Sequence, residues 1–405
     1  MTSRQKIIAA VYLSGFLQGI ALIMFPAAGP LLTNPDYHNL TAGQFGLLFT
    51  PQIIAAIIAS ALAARCVRWF GGMKQVLLAG LLADVLAMSL LALSNWFIGV
   101  GSLAFILLLL ATGAVGAGFG FAVSALNAFA FDLFRDKADA AVTGLHVLTG
   151  LGQVGAALIL GVFVGLGFWW GAPVVVGVAL VLMMVFQLGL DLKLSAESRP
   201  MIGSMGGGRL PGRIWLYAVV VFLYGICEGT FGNWSPIYLE QDAGLTMGQA
   251  ALALSVFWGA VTVGRALFAL IALRFNSQPF YLVAPWVVGA AFVALPLVSG
   301  FGPHIVILAA AGLALSFFFP LSVSLASAEV PVLAATVSGT MVAAIMLGAG
   351  FSANVVGLLS EPVGLATIFQ FSSLYAFAMA GIVFYLALTK RPLMLSDEEP
   401  EQLTV

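Results

Sequence analysis

Long apolar stretches separated by short polar connections run along the whole chain. Each stretch holds about 20 residues or more, which at ~1.5 Å per residue crosses a hydrocarbon layer ~30 Å thick. The pattern therefore predicts an all-α membrane protein with twelve transmembrane helices, here called spans 1 to 12. Their expected bounds are 7–32, 43–66, 75–94, 100–130, 140–165, 171–190, 214–238, 247–272, 280–299, 305–326, 333–359 and 365–389.

The composition agrees with this interpretation. The 405 residues are 62% hydrophobic and 8% charged, whereas a soluble domain is about 45–50% apolar. The 46 glycines suit close helix packing in lipid. Cys66 and Cys227 both fall inside spans, so the sequence predicts no disulfide framework. The basic N-terminus precedes an apolar segment too long for a signal peptide, and we expect it to remain as span 1.

The basic residues predict the orientation of the spans. Of the 15 Lys and Arg residues, all but Arg265 fall in connections on the side that holds the N-terminus. Arg265 lies near that end of span 8. The opposite connections carry only acidic charges, at Asp36, Glu240, Asp242 and Glu361. By the positive-inside rule, both termini are expected in the cytoplasm. The protein is expected in the cell (inner) membrane.

The chain contains an internal repeat. Span 1 reads FLQGIALIMFPAAGPLL from Phe16, and span 7 reads FLYGICEGTFGNWSPIY from Phe222. The segments LTAGQ at 40–44 and LTMGQ at 245–249 both form a capping box, in which a threonine caps the helix and a glutamine three residues later reaches back.

The repeat predicts two pseudo-symmetric six-helix bundles. We expect an N-terminal bundle at 1–190, a polar Gly/Ser-rich cytoplasmic linker at 191–213, and a C-terminal bundle with a short cytoplasmic tail at 214–405. Parallel repeats of six spans are related by an axis along the membrane normal.

Two connections resemble known signature sequences. ARCVRWFGGMKQVLLAG, between spans 2 and 3, resembles the signature loop of the major facilitator superfamily through Arg68, Gly71 and Lys74, although the usual aspartate is missing. GRALFALIALRF in the second half, with Gly264 and Arg265, looks like the partner motif. This resemblance covers the whole chain and implies the major facilitator fold, a secondary transporter and alternating access.

A narrower resemblance rests on about sixty residues. ALNAFAFDLFRDKADAAVTGLHVLTGLG (125–152) and span 7 resemble the fucose/glucose–galactose proton symporter, or fucose-permease-like, branch. The similar positions include Asn127, Asp132 and His146. This resemblance implies a small polar solute, a sugar, moved with proton symport. The branch carries acidic residues in spans 1 and 4, whereas this chain offers Gln18 in span 1 and Ser124 and Asn127 in span 4.

Ionisable groups inside spans are functional-site candidates because they are costly in lipid. Glu228 lies beyond the middle of span 7, among glycines that permit a bend or a locally unwound helix. It is the first candidate for solute binding and proton coupling; the alternative is a fixed partner that only joins helices. His146 and Asp84 are the other coupling candidates, and each could instead serve packing or pair with a neighbouring helix.

Amides and aromatic rings are the other candidates for solute binding, because amides bond hydroxyl groups and rings supply flat apolar walls. The substrate-binding candidates are Gln18, Asn127, Gln153, Tyr224, Glu228, Asn233, Trp234 and Asn354. The gating or signature-loop candidates are Arg68, Gly71, Lys74, Asp132, Gly264 and Arg265. His304, at the outer end of span 10, is expected to be an exposed loop residue.

The motifs argue against several other classes. The chain shows no catalytic constellation, metal-spaced Cys/His cluster or phosphate loop, so we expect neither an enzyme nor a cofactor or metal. Its expected partners are a small-molecule substrate, protons and the bilayer, not nucleic acid, and a monomer is expected. Within transport, the alternative is a proton-driven efflux pump for amphipathic compounds. A membrane receptor or scaffold would be expected to carry a soluble domain or a long loop.

Overall fold

A computed structural model describes residues 2–100, 102–194, 210–272, 274–330 and 333–389. Within these ranges, twelve helices are long and apolar enough to cross a membrane, which confirms the predicted fold class. They are α1 (Ser3–Thr33), α2 (Ala42–Phe70), α3 (Met73–Phe97), α4 (Leu103–Leu133), α5 (Ala138–Gly165), α6 (Gly171–Leu188), α7 (Gly212–Gln241), α8 (Met247–Ala272), α9 (Gln278–Leu297), α10 (Phe301–Glu329), α11 (Ala334–Val363) and α12 (Leu365–Leu388).

The predicted spans match these helices, with ends that differ by a few residues. Single-residue breaks interrupt the helix at Ala28 in α1, Leu48 in α2 and Phe317 in α10. Most of the predicted linker, at 195–209, and the tail from 390 lie outside the described residues. We call α1–α6 the first half and α7–α12 the second half.

Both predicted capping boxes are present. Thr41 N–H donates to Gln44 Oε1 at 2.9 Å, and Gln44 N–H donates to Thr41 Oγ1 at 3.1 Å. Thr246 and Gln249 repeat the two bonds at 3.0 and 3.2 Å. Each box satisfies two backbone donors at a helix start, so α2 and α8 begin at equivalent points of the repeat.

Glycines bring α1 and α5 into backbone contact. A Cβ atom on Gly19 would overlap the carbonyl oxygen of Thr149, and one on Gly152 would overlap that of Phe16. The second half repeats this pair of glycine–carbonyl contacts between α7 and α11. There, Gly225 lies against the Ile345 carbonyl and Gly348 against the Phe222 carbonyl.

A second glycine contact also recurs. Gly116 of α4 lies against the carbonyl oxygen of Gln52 in α2, and Gly312 of α10 lies against that of Phe257 in α8. These equivalent contacts join equivalent helices of the two halves. The repeat seen in the sequence is therefore also a repeat of helix packing.

Gly152→Ala tests this packing. The added methyl group has no room beside the Phe16 carbonyl, and overpacking of this kind costs about 1–3 kcal/mol. Gly381→Ala in α12 is the matched control, because nothing lies within 4 Å of a Cβ there. We expect a lower thermal unfolding midpoint in detergent for Gly152→Ala alone. Equal midpoints for the two variants would contradict the contact.

The helices present large apolar side chains outward. Leu82, Leu182 and Leu358 are 57%, 64% and 71% exposed. Such a surface is suited to lipid, where apolar side chains meet acyl chains. The chain is an integral, multi-pass membrane protein.

Alternating helix directions place residues 2 and 389 at the same side of the membrane, which we call the terminal side; the other is the far side. At the terminal side, the hydrogen bonds described stay within each half. Arg213 at the start of α7 donates to Glu329 Oε1 at 2.7 Å and to the Leu386 carbonyl at 2.6 Å. Arg4 at the start of α1 donates to the Leu133 carbonyl at 3.1 Å. These bonds tie each half together without joining the two.

Candidate functional site

A cavity of about 220 Å³ lies between the two halves. Residues of α1, α2, α4, α5, α7, α8 and α11 line it. Leu22, Phe49 and Phe119 contribute apolar walls. Its polar lining residues are Gln52, His146, Thr149, Gln153, Glu228, Asn233, Trp258 and Arg265.

The two halves meet on the far side of this cavity. Gln241 Nε2 of α7 donates to Thr33 Oγ1 of α1 at 2.8 Å. The rings of Phe45 in α2 and Trp234 in α7 pack edge to face, with centroids 5.3 Å apart. Both rings are fully buried. They form a plug between the cavity and the far side.

Helices α2 and α11 extend this seal. A Cβ atom on Gly46 would overlap the carbonyl oxygen of Ala353, and one on Gly357 would lie too close to that of Ala42. One turn deeper, Asn354 Nδ2 donates to Thr50 Oγ1 at 3.0 Å. These contacts close the gap between α2 and α11 on the far side of the cavity.

Toward the terminal side, the cavity reaches residues near the helix ends. His146 lies eight residues after the start of α5 and is exposed, and Arg265 lies seven residues before the end of α8. The cavity therefore extends toward the terminal side while the far side is sealed.

Glu228 forms the centre of a polar cluster in the second half. Tyr224 Oη donates to Glu228 Oε1 at 2.6 Å. Arg265 Nη2 lies 3.7 Å from the same oxygen, and Arg265 Nε donates to the Ser316 carbonyl at 3.1 Å. The Glu228 and Arg265 side chains are 15% and 26% exposed. The pair thus faces the cavity, and it places opposite charges side by side in the wall.

The course of α7 explains the direction of this carboxylate. Gly225 and Gly229 are four residues apart and face α11, where Gly229 lies against Ala349. Glu228 therefore points to the side of that contact, into the cavity. The unwound segment is absent, since the helix is continuous from Gly212 to Gln241. The glycines serve close packing instead.

Three polar atoms of the cavity wall are buried and lack a hydrogen-bond partner. They are Gln52 Oε1 of α2, Gln153 Oε1 of α5 and Trp258 Nε1 of α8. Leaving a buried polar atom unpaired costs about 1–3 kcal/mol. The first half thus presents two acceptors and the second half one donor. A solute that donates and accepts hydrogen bonds would satisfy all three.

The polar residues of the cavity do not follow the internal repeat. Leu22 lies 206 residues before Glu228 and lines the same cavity in α1. Ala349 of α11 occupies the place equivalent to Gln153 of α5 and also lines the cavity. The ion pair therefore belongs to the second half alone, and the two unpartnered amide oxygens belong to the first.

The structure brings five predicted residues together at the cavity. They are His146, Gln153, Glu228, Asn233 and Arg265. Tyr224 lies behind Glu228, fully buried, with its ring stacked on Phe318 at a centroid distance of 5.9 Å. Its part in the site is to hold the carboxylate.

Other predicted binding residues lie away from the cavity lining. Trp234 and Asn354 belong to the far-side seal. Asn127 in α4 is partly buried, and its Oδ1 has no partner. Gln18 is fully buried in the first half, where its Nε2 donates to Asp84 Oδ1 at 3.3 Å. Asp84, a predicted coupling residue, is fully buried with it.

The prediction for His304 is wrong. The side chain is fully buried, with Nδ1 2.6 Å from the Gly300 carbonyl oxygen and the ring 6.2 Å from that of Tyr238. Helix α10 begins at Phe301, which brings His304 into its first turn and against α7.

The signature-loop residues lie at the terminal side. Gly71 ends α2 with a φ of 90°, a conformation that favours glycine. Lys74 Nζ donates to the carbonyl of Leu188, the last residue of α6, at 3.1 Å and to that of Leu190, just beyond it, at 2.6 Å. Arg68 is exposed and Asp132 is partly buried. Gly264 gives the Ser316 side chain of α10 room beside α8.

Three polar residues of the cavity, Gln52, Thr149 and Trp258, were not predicted as binding groups. Gln52 follows a proline in an apolar span, and its sequence position carries no sign of which face it occupies. Trp258 lies seven residues before Arg265 in an apolar span, and the sequence does not show that it is a binding group. Gly232 of α7 makes room for its indole ring. Only the packing of α7 on α8 reveals that this ring borders the cavity.

Comparisons with known proteins place these features in a family context. The family model described as Major Facilitator Superfamily matches residues 11–353. No curated protein sequence matches the chain.

Several solved structures share the fold. The nucleoside transporter NupG superposes with a TM-score of 0.74 at 13% identity, covering 96% of this chain and 100% of its own. A D-xylose–proton symporter gives 0.76 at 15%, covering 96% and 98%. A bacterial homolog of the human lysosomal transporter Spinster, inward-facing and occupied, gives 0.74 at 16%, covering 96% and 98%. At these identities the likeness shows the fold.

Proposed function

The chain belongs to the Major Facilitator Superfamily, and from this premise we propose that it is a secondary active transporter for a small neutral polar solute, a sugar. The solute would be moved by alternating access with proton symport. The observation that carries this proposal is the set of unpartnered polar atoms at Gln52, Gln153 and Trp258 around one cavity. Sugar hydroxyl groups donate and accept hydrogen bonds, so they match both kinds of atom.

The charges of the cavity favour a neutral solute. Glu228 and Arg265 neutralise one another, and a charged solute would have to compete with that pair. The Trp258 indole and the Phe49 and Phe119 rings offer flat apolar walls for the faces of a sugar ring. The D-xylose–proton symporter with the same fold gives a precedent for this class of solute in this architecture.

Glu228 is the proposed carrier of the coupled proton. It is the one carboxyl group among the described lining residues. Protonation would remove the charge of Glu228 and release Arg265 from the ion pair. Because this pair lies in the cavity wall, the proton would act on the same side chains that the solute meets. His146, exposed at the terminal end of the cavity, would serve as the entry or exit relay.

The sealed far side corresponds to one end state of alternating access. Because the basic residues collect at the terminal side, we infer that this side is the cytoplasm. The structure would then represent an inward-facing state, and the α2–α11 and α1–α7 contacts would separate in the outward-facing state. The two domains of this motion would be residues 1–190 and 214–405, joined by the linker at 191–213.

The test is an uptake assay with a panel of labelled hexoses, pentoses and deoxy sugars. The protein would be expressed in cells that lack their own sugar permeases, with and without a protonophore. Accumulation of one sugar that collapses with the protonophore supports the proposal. No uptake of any sugar, by protein shown to reach the membrane, overturns it. Efflux of amphipathic compounds would then be the alternative function, supported by the apolar residues that line the cavity.

Gln52→Leu and Gln153→Leu test the binding role of the unpartnered oxygens. Each replacement removes one acceptor for a solute hydroxyl, and we expect the KM for uptake to rise about 10-fold, or ~1.4 kcal/mol. Gln370→Leu in α12, outside the described lining, is the control and should leave KM unchanged. Unchanged KM in both cavity variants would contradict the assignment.

A further inference from the structure

A second buried polar pair lies inside the first half, apart from the cavity. Gln18 of α1 and Asp84 of α3 are both fully buried. Gln18 Nε2 donates to Asp84 Oδ1 at 3.3 Å. Neither residue is among those that line the cavity. The mechanism proposed for Glu228 makes no use of this pair.

One oxygen atom of each side chain in this pair lacks a hydrogen-bond partner. Asp84 Oδ2 and Gln18 Oε1 are both buried and lack a partner. Both atoms are acceptors if the carboxyl group is ionised, so neither can satisfy the other. One added proton on Oδ2 would supply the missing donor.

The surroundings also disfavour a charge. The ion pairs among the described residues join Lys193 to Asp191, Arg213 to Glu329 and Arg265 to Glu228, and none includes Asp84. On the α4 side, Gly118 lies directly against the carboxyl group. An unpaired carboxylate buried in such a place is strongly disfavoured, and a buried group of this kind takes up a proton instead.

We propose that Asp84 is a neutral carboxylic acid that forms a cyclic pair with the Gln18 carboxamide. Gln18 Nε2–H donates to Asp84 Oδ1, and the acid O–H at Oδ2 donates to Gln18 Oε1. The pair fixes α1 against α3, and its proton stays in place throughout transport. Asp84 is therefore a positioning residue, distinct from the coupling carboxyl group of Glu228.

Two substitutions at one position separate this role from proton coupling. Asp84→Asn replaces the acid by an amide that can still donate to Gln18 Oε1 and accept from Nε2, but has no titratable proton. Asp84→Leu keeps the branch at Cγ, with methyl groups larger than the carboxyl oxygens, and removes both hydrogen bonds, which leaves the Gln18 amide unpaired. We expect the asparagine variant to unfold near the parent temperature and the leucine variant to unfold several degrees lower.

The direct test is infrared difference spectroscopy on the purified full-length protein, parent minus Asp84→Asn. We expect a protonated carboxyl carbonyl band at pH 7, where an ordinary aspartate with a pKa of about 3.9 is ionised, and we expect the variant to lack this band. A carboxylate band in its place would overturn the proposal. This readout does not depend on knowing the solute, so it stands whether or not the sugar assignment holds.

A transport readout adds a second test. In vesicles, Asp84→Asn should retain solute-driven proton uptake within about twofold of the parent. Loss of proton uptake in this variant, at normal amounts of folded protein, would make Asp84 a coupling residue and overturn the positioning role. Equal unfolding temperatures for the leucine and asparagine variants would also contradict the pair.

Discussion

Glu228→Gln is expected to abolish accumulation of the solute against its gradient. Glutamine can still bond Tyr224, but it carries no transferable proton and no charge for Arg265, which lies 3.7 Å away. We expect the accumulation ratio to fall about 100-fold, or ~2.7 kcal/mol. Exchange of labelled for unlabelled solute at equal concentrations across the membrane needs no net proton transfer, so this exchange should persist. The measurement is uptake and exchange in the same vesicle preparation.

Glu329→Gln is the matched control for this variant. Glu329 is also a paired carboxyl group of the second half, bonded by Arg213 at 2.7 Å, but it lies at the end of α10 away from the cavity. Loss of the Glu329 charge should lower the stability of the protein and leave the coupling of proton and solute transport intact. Accumulation at the parent level in Glu228→Gln would show that the coupled proton is carried elsewhere.

A covalent bridge across the far-side seal is expected to stop transport completely. Thr50 and Asn354 are in direct hydrogen-bond contact between α2 and α11, so cysteines at both positions can be joined by oxidation or a short thiol cross-linker. The bridge would hold the far side closed, and solute could no longer enter from it. Uptake should fall to background on oxidation and return on reduction.

Each single cysteine variant, treated in the same way, is the control for cross-linking. The native Cys66 and Cys227 are both buried and would be replaced by serine in all variants. Full transport by a protein shown to be cross-linked would mean that the α2–α11 contact does not open. Alternating access between these halves would then be wrong.

Much of the fold follows from local sequence signals. Apolar runs determine the twelve spans, and the Thr41–Gln44 and Thr246–Gln249 boxes mark equivalent helix starts. Both signals depend on residues a few positions apart, whose interactions a sequence shows directly. The same applies to Glu228, since a carboxylate within an apolar run is a visible exception.

The partners of the site residues could not be predicted in this way. Arg265 reaches Glu228 from another helix, and Gln18 meets Asp84 66 positions along the chain. Such pairs depend on the rotation of each helix about its axis. For the same reason Gln52, which faces the cavity, and Asn354, which lies in the seal, could not be distinguished by sequence. The glycines of α7 suggested a locally unwound segment, but the helix is continuous and those glycines contact α11.

The most direct test of the account is solute-driven proton movement in proteoliposomes. The protein would be reconstituted without a pH gradient, and the accumulated sugar identified in the uptake panel would be added outside while a pH-sensitive dye reports the medium. We predict alkalinisation of the medium with the parent protein and none with Glu228→Gln. Solute entry at the parent rate without proton movement would contradict coupled transport through Glu228.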